Sequence, residues 1–320
     1  MGQMTLMNTG FEKYSKTTRR EKFLAEMERV VPWAAVCGLI EPVYPKAGSV
    51  GGRPVVPVER MVRIYFLQLW FNLSDPGVEE ALYDSRCMQA FAGIDLGEVR
   101  PPDETTVLNF RHLLERHKLG KPLLTAVNRY LHRQGIKVTT GTIVDATIIN
   151  APTSTKNRDK KRDPEMHQTA KGKQWYFGMK AHVGVDSAEK LVHTVLASAA
   201  NIADRDALPY LLHGRETRVW GDQAYKGQTE VIHRRAPKAK DFTHRSCRYR
   251  GNVDAAEQAR NRTKSRVRAR VEHVFGVIKR VFGFCQTRYR GLAKNLHRLE
   301  VTCALANLFM VRRRLLRAWG

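Results

Sequence analysis

The chain is short of acidic residues. It carries 31 Asp and Glu against 55 Lys and Arg in 320 residues, which gives a net charge of +24 at pH 7 and an isoelectric point near 10.2. At this length such an imbalance indicates a polyanionic partner. The alternative is a protein that is basic without using its charge for binding.

Long apolar runs are also missing. The longest, at 64–73 and 303–311, are too short or too interrupted to cross a bilayer. The first residues, MGQMTLMNTG, lack the charged and apolar regions of a signal peptide, and Leu6 does not fit the myristoylation pattern. We therefore expect no membrane partner and a cytoplasmic protein, with nucleic acid as the favoured polyanion.

The cysteines form no recognisable pattern. There are five, an odd number, with no CxxC and no His at zinc-ligand spacing. This disfavours a disulfide framework and a structural zinc site, and it predicts reduced thiols in a cytosol. The five are Cys37, Cys87, Cys247, Cys285 and Cys303.

The first part of the chain, 1–138, is predicted to be all helical. Helical patterns near 18–31, 58–73, 76–91 and 104–117 are separated by the Gly- and Pro-rich segments KAGSVGGRP and GEVRPP. Short helices beside basic residues are compatible with a helix-turn-helix reader of DNA. A plain helical scaffold or a dimerisation module is equally compatible.

The second part, 139–320, is predicted to be an α/β domain. Strand patterns come first, then a helix near 204–214, a further strand, and carboxy-terminal helices within 293–319. A fifth strand is expected within 231–255. Between the first two strands, 151–174 is polar and basic, which predicts a mobile loop that either clamps a DNA backbone or stays idle in solvent. The predicted strands are at 136–149, 174–186, 191–199 and 217–222.

Two acids stand at unusual places in these strands. Asp145 interrupts the apolar run TIVDATII, and a charge inside a central strand is unfavourable unless it is paired, hydrogen-bonded or bound to metal. Asp222 in RVWGDQAYKG comes where a strand ends, the usual position for active-site groups in α/β sheets. The alternatives are a strand-end Asp that caps a turn and a turn-forming Asp.

A third acid, Glu272, lies in SRVRARVEHVFGVIKRVFGF, which predicts one helix over 265–284. Its apolar positions form a buried stripe. Ser265, Arg268, Glu272 and Lys279 share a second face, on which Gly276 leaves room for a charged ligand. The alternative is a surface Glu paired with Arg268.

Carboxylates from the first strand, the end of the fourth strand and a later helix can meet at one edge of a ribonuclease H-like sheet. There they would suit two hard cations such as Mg²⁺, which prefer oxygen ligands. Other acids compete for this role, and we interpret Asp186 as a turn residue and Asp204 and Asp206 as helix caps. The run Trp175, Tyr176 and Phe177 either stacks on an unpaired base or, as we favour, packs in the core.

The order of the acids, Asp in IVDAT, Asp in GDQAY and Glu in RVEHVFGVIKR, resembles the DDE transposases of bacterial insertion sequences. The likeness is greatest to the insertion-sequence-five family. Further matching motifs are VDATIINAP, NIADRDAL and FGFCQTRYRGLAKN. Related families carry a Tyr, Arg, Glu, Lys signature, which Arg268, Glu272 and Lys279 fit, while Ser265 stands where Tyr is usual.

The resemblance implies a fold and a site. The fold is a ribonuclease H-like catalytic domain, a mixed sheet flanked by helices, preceded by an all-α domain that binds DNA ends. Asp145, Asp222 and Glu272 would be catalytic and would hold two Mg²⁺ ions, with Mn²⁺ as a substitute. The implied DNA-binding residues are Arg268, Lys279, Ser265, Arg266 and Lys264.

The leading hypothesis is therefore a transposase. It would bind the terminal inverted repeats of its own element in double-stranded DNA, hydrolyse a phosphodiester to free a 3′-OH, and join that end to target DNA as a homodimer or higher assembly. A ribonuclease H-like nuclease without strand transfer is one alternative. A DNA-binding regulator that descends from a transposase and has lost catalysis is the other.

Overall fold

The structure is a computed structural model that describes residues 16–46, 55–249 and 252–318. The segment MGQMTLMNTG and most of KAGSVGGRP lie outside these residues. Within them, a helical first part is followed by a mixed sheet flanked by helices, which confirms the predicted fold class. None of the described helices is long and apolar enough to span a membrane.

Three helices of the first part have side-chain caps at their amino-terminal ends. Thr18 and Glu21 form a capping box at the first helix, Ser74 caps the helix that contains Pro76, and Asp103 accepts from the amide of Thr106. The helices are α1 (Arg19–Val30), α2 (Trp33–Ile40), α3 (Val58–Trp70), α4 (Asp75–Asp84), α5 (Arg86–Ala92), α6 (Glu104–Arg116) and α7 (Gly120–Arg133).

Two details differ from the sequence-based expectation. The predicted helix over 76–91 is two helices, because the backbone of Ser85 is extended and ends α4 before α5 begins. Helix α7 was not predicted, although it presents a buried apolar face. Pro122 lies in the first turn of α7, and a proline in the sequence usually argues against a helix. It is tolerated here because the first amides of a helix have no acceptor within the helix.

The sheet follows the predicted strands closely. Its strands are β1 (Gly141–Asn150), β2 (His167–Lys171), β3 (Gln174–Asp186), β4 (Val192–Ala199), β5 (Arg218–Trp220) and β6 (Lys240–Asp241). Strand β1 pairs antiparallel with β3 and parallel with β5, β3 pairs antiparallel with β4, and β5 pairs parallel with β6. The resulting order β4-β3-β1-β5-β6 is ribonuclease H-like, and β2 pairs with the first residues of β3.

The basic segment 151–174 is more ordered than predicted. Its last residues form β2. Two acids hold the middle of the segment against the residues before α12: Asp163 accepts from the amide of Gly291 and Glu165 from the amide of Leu292, each at 2.7 Å. A mobile loop is therefore the wrong description for this part. The local sequence could not reveal the anchors, because their partners lie more than 120 residues further on.

The remaining helices are α8 (Asp204–Leu211), α9 (Thr229–Arg235), α10 (Ala255–Arg268), α11 (Arg270–Gly276) and α12 (Leu292–Ala318). The last is one long helix that packs against α1, α7 and β4. On it, Asn307 accepts from the amide of Val192 and donates to Asn128 of α7, both at 2.8 Å. The domain boundary between residues 138 and 139 stays a prediction.

Glu300 on α12 lies against the first turn of α7, and burial raises the pKa of its carboxyl from 4.5 to about 7. A raised carboxyl pKa means that stability is lost as pH rises from the ordinary value through about 7. Glu300→Gln should therefore increase the free energy of unfolding by up to roughly 3 kcal/mol near pH 8 and by little near pH 4.

Urea unfolding of the wild type and Glu300→Gln at both pH values checks this expectation. Glu98→Gln is the matched control, because Glu98 is exposed. An equal effect of Glu300→Gln at both pH values would contradict the prediction that the ionised carboxylate lowers the free energy of unfolding.

Candidate active site

Asp145 lies on β1 just beyond the point at which β5 ends. Strand β5 pairs with β1 only through Ile143, opposite Trp220, so β1 continues past its neighbour and leaves a notch at the sheet edge. The Asp145 side chain is 10% exposed, and its Oδ1 accepts from the amide of Ala146 at 2.8 Å. Asp145 is thus held near the middle of β1, level with the carboxyl end of the neighbouring β5, and strand ends of this kind are where α/β sheets place reactive groups.

Asp222 follows β5 by two residues at the same edge. It caps a short 3₁₀ turn at Gln223–Tyr225, and its Oδ1 accepts from the amide of Ala224 at 2.9 Å. The turn-forming interpretation is therefore correct for the local hydrogen bond. It does not exclude a second role, because the carboxylate also faces the cavity that Asp145 lines.

Glu272 lies in α11, which is shorter than the predicted helix over 265–284. Helix α10 ends at Arg268, α11 begins at Arg270, and a π-helical segment follows at Val277–Val281. The buried stripe includes Val271, Val274, Phe275, Val277, Ile278 and Phe282. On the opposite side Glu272 is 64% exposed. Among the described residues, no atom outside the neighbouring residues and backbone of the same helix lies within 4 Å of where a Cβ on Gly276 would be.

One cavity of about 770 Å³ unites these acids. Asp145, Asp222 and Glu272 all line it, and so do Arg268 and Lys279. The structure therefore brings together five of the residues that the sequence singled out, from β1, from the end of β5, and from the α10–α11 region. Such a concave site with convergent charged groups is what phosphoryl-transfer chemistry requires.

Arg268 is the cation nearest the acids. Its Nη1 donates to Asp145 Oδ2 at 2.7 Å and lies 3.9 Å from Glu272 Oε1, so the predicted pairing with Glu272 is present but weaker than the bond to Asp145. Burial raises the pKa of Asp145 to about 6 although Arg268 opposes the shift. The charges of Asp222 and Glu272 raise it further, so repulsion between the acids is only partly neutralised.

Lys279 lies in the π-helical segment and is tied to β1. Its Nζ donates to Ile148 O at 2.8 Å and to Thr147 Oγ1 at 3.1 Å, and burial lowers the pKa of its ammonium. A π-helical turn changes the direction of following side chains and often occurs at functional sites. Here it sets Lys279 against the strand that carries Asp145.

The other predicted DNA-binding residues lie outside the cavity. Ser265 Oγ contacts His244 Nε2 at 3.3 Å, and Lys264 Nζ donates to Thr243 O at 3.0 Å, so both hold the segment before α10. Arg266 is exposed, and within residues 16–46, 55–249 and 252–318 it forms no hydrogen bond or ion pair. Of these three, Arg266 has the side chain most accessible to a phosphate.

Sequence reasoning missed other residues that line the cavity, namely Lys171, Tyr176, Lys180, Asp204, Arg280 and Cys285. Asp204 was interpreted as a helix cap. Instead, Ala203 is the N-cap of α8, and Asp204 pairs with Lys180 at 2.9 Å. Its position in NIADRDAL next to the strand end was a signal that it could reach the site.

Asp186 is a turn residue, as predicted. It is fully buried, its Oδ1 accepts from the amides of Ala188 and Glu189, and its Oδ2 accepts from Thr139. His182 is a buried core residue, and burial lowers the pKa of its imidazole to about 4. Neither lines the cavity.

The donor set of the cavity suits a hard divalent cation. Asp145, Asp222 and Glu272 supply oxygen only. Burial is the main cause of the raised pKa of Asp145, and the charges of Asp222 and Glu272 add to it, so a cation would favour the ionised form. Within the described part of the chain, no three His, Cys, Asp or Glu side chains converge tightly enough to hold a metal ion together. The exposed Glu272 has the freedom to complete such a set.

Comparison with known proteins gives a family. A family model described as "Transposase DDE domain" matches residues 136–308, and one described as "Transposase domain (DUF772)" matches residues 12–113. The first match begins just before β1, ends within α12, and includes Asp145, Asp222 and Glu272.

A solved structure is similar over most of the chain. It is a piggyBac transposase synaptic complex with hairpin DNA, with a TM-score of 0.44 and 10% sequence identity, and the match covers 93% of this chain and 74% of that chain.

Proposed function

Because this chain belongs to the transposases with a DDE domain, we propose that it binds the terminal inverted repeats of its own insertion sequence, cuts DNA at their boundary and joins the freed ends to target DNA. One observation carries the proposal. Asp145, Asp222 and Glu272, far apart in the sequence, line one cavity together with Arg268 and Lys279. We place the chain in the insertion-sequence-five family on its motifs.

In this proposal Asp145, Asp222 and Glu272 hold two Mg²⁺ ions, or Mn²⁺ in their place. Such ions, when bound, supply Lewis acidity and an activated water at neutral pH. The chain's own contribution is to fix two of the carboxylates, Asp145 by its strand and Asp222 by its 3₁₀ turn, and to leave Glu272 at the exposed side of α11.

Basic side chains around the acids would position the DNA backbone. Arg268 would bind a phosphate in place of Asp145, and Lys279 would keep its hydrogen bonds to β1 while it faces the scissile strand. Lys171 and Arg280 extend the positive lining of the cavity, and Arg266 on the exposed side of α10 would contact the flanking backbone. The net charge of +24 supports a polyanionic substrate.

Reading of the inverted repeats is assigned to the helical region 1–138, and synapsis of two ends to a homodimer or a larger assembly. Arg116 is exposed on α6 and is available for a phosphate contact, whereas Arg111 is buried and paired with Asp75 and is not. Binding to end DNA by residues 1–138 alone, absent from residues 139–320, would support this division of labour.

Strand transfer distinguishes a transposase from a nuclease that only cuts. The test incubates the full chain and Mg²⁺ with a pre-cleaved, labelled element end and a supercoiled plasmid. Joining of the labelled 3′ end to the plasmid is the expected result. Efficient cutting of uncleaved ends without any joining would instead support the nuclease.

Arg268→Ala and Lys279→Ala should each reduce cleavage by roughly 10- to 100-fold, because a positioned cation that stabilises the reacting phosphate is removed. The loss should be milder than for the three acids. Cleavage rate and end affinity in chelator are the measurements, and Arg262→Ala is the control, since Arg262 is exposed on the same α10 outside the cavity. Unchanged cleavage and affinity in both variants would refute these roles.

A further inference from the structure

Asp204 brings a fourth carboxylate to the cavity that the three acids line. It lies in the first turn of α8, after the short connection that follows β4. Its side chain is 22% exposed, so it is largely shielded from water. None of the roles proposed for cleavage uses this carboxylate.

Asp204 reaches the cavity from the other face of the sheet. Ala207 of α8 belongs to the same core cluster as Val144 of β1, whereas Val271 of α11 belongs to the cluster that includes Ile143. Neighbouring residues of a strand point to opposite faces, so α8 and α11 lie on opposite sides of β1. Carboxylates from both sides therefore meet in one cavity at the edge of the sheet.

Lys180 of β3 is the counter-ion of Asp204. Its Nζ lies 2.9 Å from Asp204 Oδ1 and donates a hydrogen bond to Ile202 O at 2.8 Å. Asp204 Oδ1 is buried, yet it accepts no hydrogen bond from any residue that the structure describes. The contact is thus an ion pair without hydrogen-bond geometry. A buried carboxylate oxygen in this state is unfavourable, and it keeps its capacity to bind a cation.

Two fully buried side chains near Asp204 each have a polar atom that forms no hydrogen bond within the described parts of the chain. They are His182, whose Nδ1 lies 4.0 Å from Asp204 Oδ1, and Tyr225, through its hydroxyl. Burial, and then the charges of Asp204, Asp145 and Asp222, raise the pKa of the Tyr225 hydroxyl, so this hydroxyl lies in the field of all three acids. Buried polar atoms without a protein partner are commonly satisfied by a bound ion or water.

The charge of the site leaves room for this acid. Two divalent cations carry more positive charge than the three acids already assigned can neutralise, and Arg268 adds to it in the same cavity. Mg²⁺ is usually held by one or two carboxylates, with waters and substrate phosphates as its other ligands. Two such ions can therefore take a fourth carboxylate.

We propose that Asp204 is a fourth acidic ligand of the divalent-cation site, and that Lys180 pairs with its carboxylate when no cation is bound. The inference rests on the proposed function, since it assumes divalent cations in this cavity. Lys180 and a cation compete for the same oxygen of Asp204. An ammonium released from that pair still lines the cavity and is available to a phosphate oxygen.

The test titrates Mn²⁺ into the full chain bound to a pre-cleaved duplex of the gene's own flanks that ends in a 3′-deoxynucleotide, so that no joining occurs. Free Mn²⁺ is measured by electron paramagnetic resonance, with the duplex alone as the blank. Asp204→Asn should weaken Mn²⁺ binding by at least roughly 10-fold, the scale of loss seen even for residues that only orient a ligand. Lys180→Met should tighten binding by roughly 5-fold, because a competing positive charge is removed.

Asp206→Asn is the matched control, because Asp206 lies in the same turn of α8, is 61% exposed and does not line the cavity. A purely structural ion pair predicts that Asp204→Asn and Lys180→Met both lose stability in urea and keep wild-type Mn²⁺ affinity. That pattern, with a wild type that binds Mn²⁺ and cuts at the boundary, would overturn this inference and leave the proposed function intact.

Lys180→Met keeps the test decisive if Asp204→Asn does not fold. Tighter Mn²⁺ binding by Lys180→Met then supports the competition for Asp204, and unchanged binding contradicts it. Absence of both Mn²⁺ binding and cleavage in wild type would overturn the proposed function together with this inference.

Discussion

The Asp222→Asn protein is expected to bind its element ends with nearly wild-type affinity and to cut them at least about a thousandfold more slowly. Asparagine keeps the size of the side chain and can still accept from the amide of Ala224, so the 3₁₀ turn survives. The change removes a negative charge from the cavity, and with it a ligand that a divalent cation would need. Binding by the basic surface does not depend on that charge.

Asp145→Asn and Glu272→Gln should behave in the same way. The buried Asp145 and the exposed Glu272 differ strongly in environment, so a shared loss of cleavage would reflect a shared chemical role and not a common folding defect. Asp206→Asn is the matched control, because Asp206 is 61% exposed in the first turn of α8 and lies outside the cavity.

Gel shift in chelator and end-label cleavage with Mg²⁺ measure the two properties separately. If all three amide variants cut like wild type, the acids are misassigned. If they lose end binding along with cleavage, the cavity contributes to recognition and the separation of the two functions is wrong.

Arg111→Met should reduce the free energy of unfolding by roughly 3–5 kcal/mol. Arg111 is 4% exposed, and it donates to Asp75 at 2.9 Å and to Glu115 at 3.0 Å. Removal of the guanidinium leaves two carboxylates close together in a buried site. The guanidinium also stacks at 3.9 Å from the ring centroid of Tyr289, so the substitution loosens α6 from the segment before α12.

Chemical denaturation measures this loss, and Arg116→Met is the control on the exposed side of the same helix. A loss below about 1 kcal/mol would mean that the ion pairs are no stronger than surface pairs. The helical region and the carboxy-terminal segment share this contact, so its loss should lower stability. The protein that remains folded should cleave DNA normally.

The sheet and the acids could be predicted from the sequence because both are marked locally. β1, β3, β4 and β5 are apolar runs with turn residues at their ends, and the interruption of such a run by Asp145 is conspicuous. Glu272 and Arg268 share a helix face by simple periodicity. They stay on one face across the break at Ala269, because the backbone of Ala269 keeps right-handed helical angles and Arg268 Nη1 lies 3.9 Å from Glu272 Oε1.

Other features depend on contacts that no local pattern encodes. Lys264 and Ser265 are predicted DNA contacts in an arginine-rich helix, and the sequence did not show that they form hydrogen bonds to Thr243 and His244. Asp204 looks like a cap until Lys180 is placed beside it. The Trp-Tyr-Phe run has the composition of a core segment. Trp175 is exposed because β2 and β3 extend beyond the end of β1, and the sequence does not show this extension.

The central claim is that the acids of one cavity cut DNA with the help of divalent metal. The most direct measurement is strand-specific cleavage of labelled DNA that carries the gene's own flanks, with Mg²⁺ or with chelator, by wild type and Glu272→Gln. We expect a cut with a free 3′-OH at the element boundary by wild type, and only with Mg²⁺. Equal cutting by Glu272→Gln, or cutting by wild type in chelator, would contradict it.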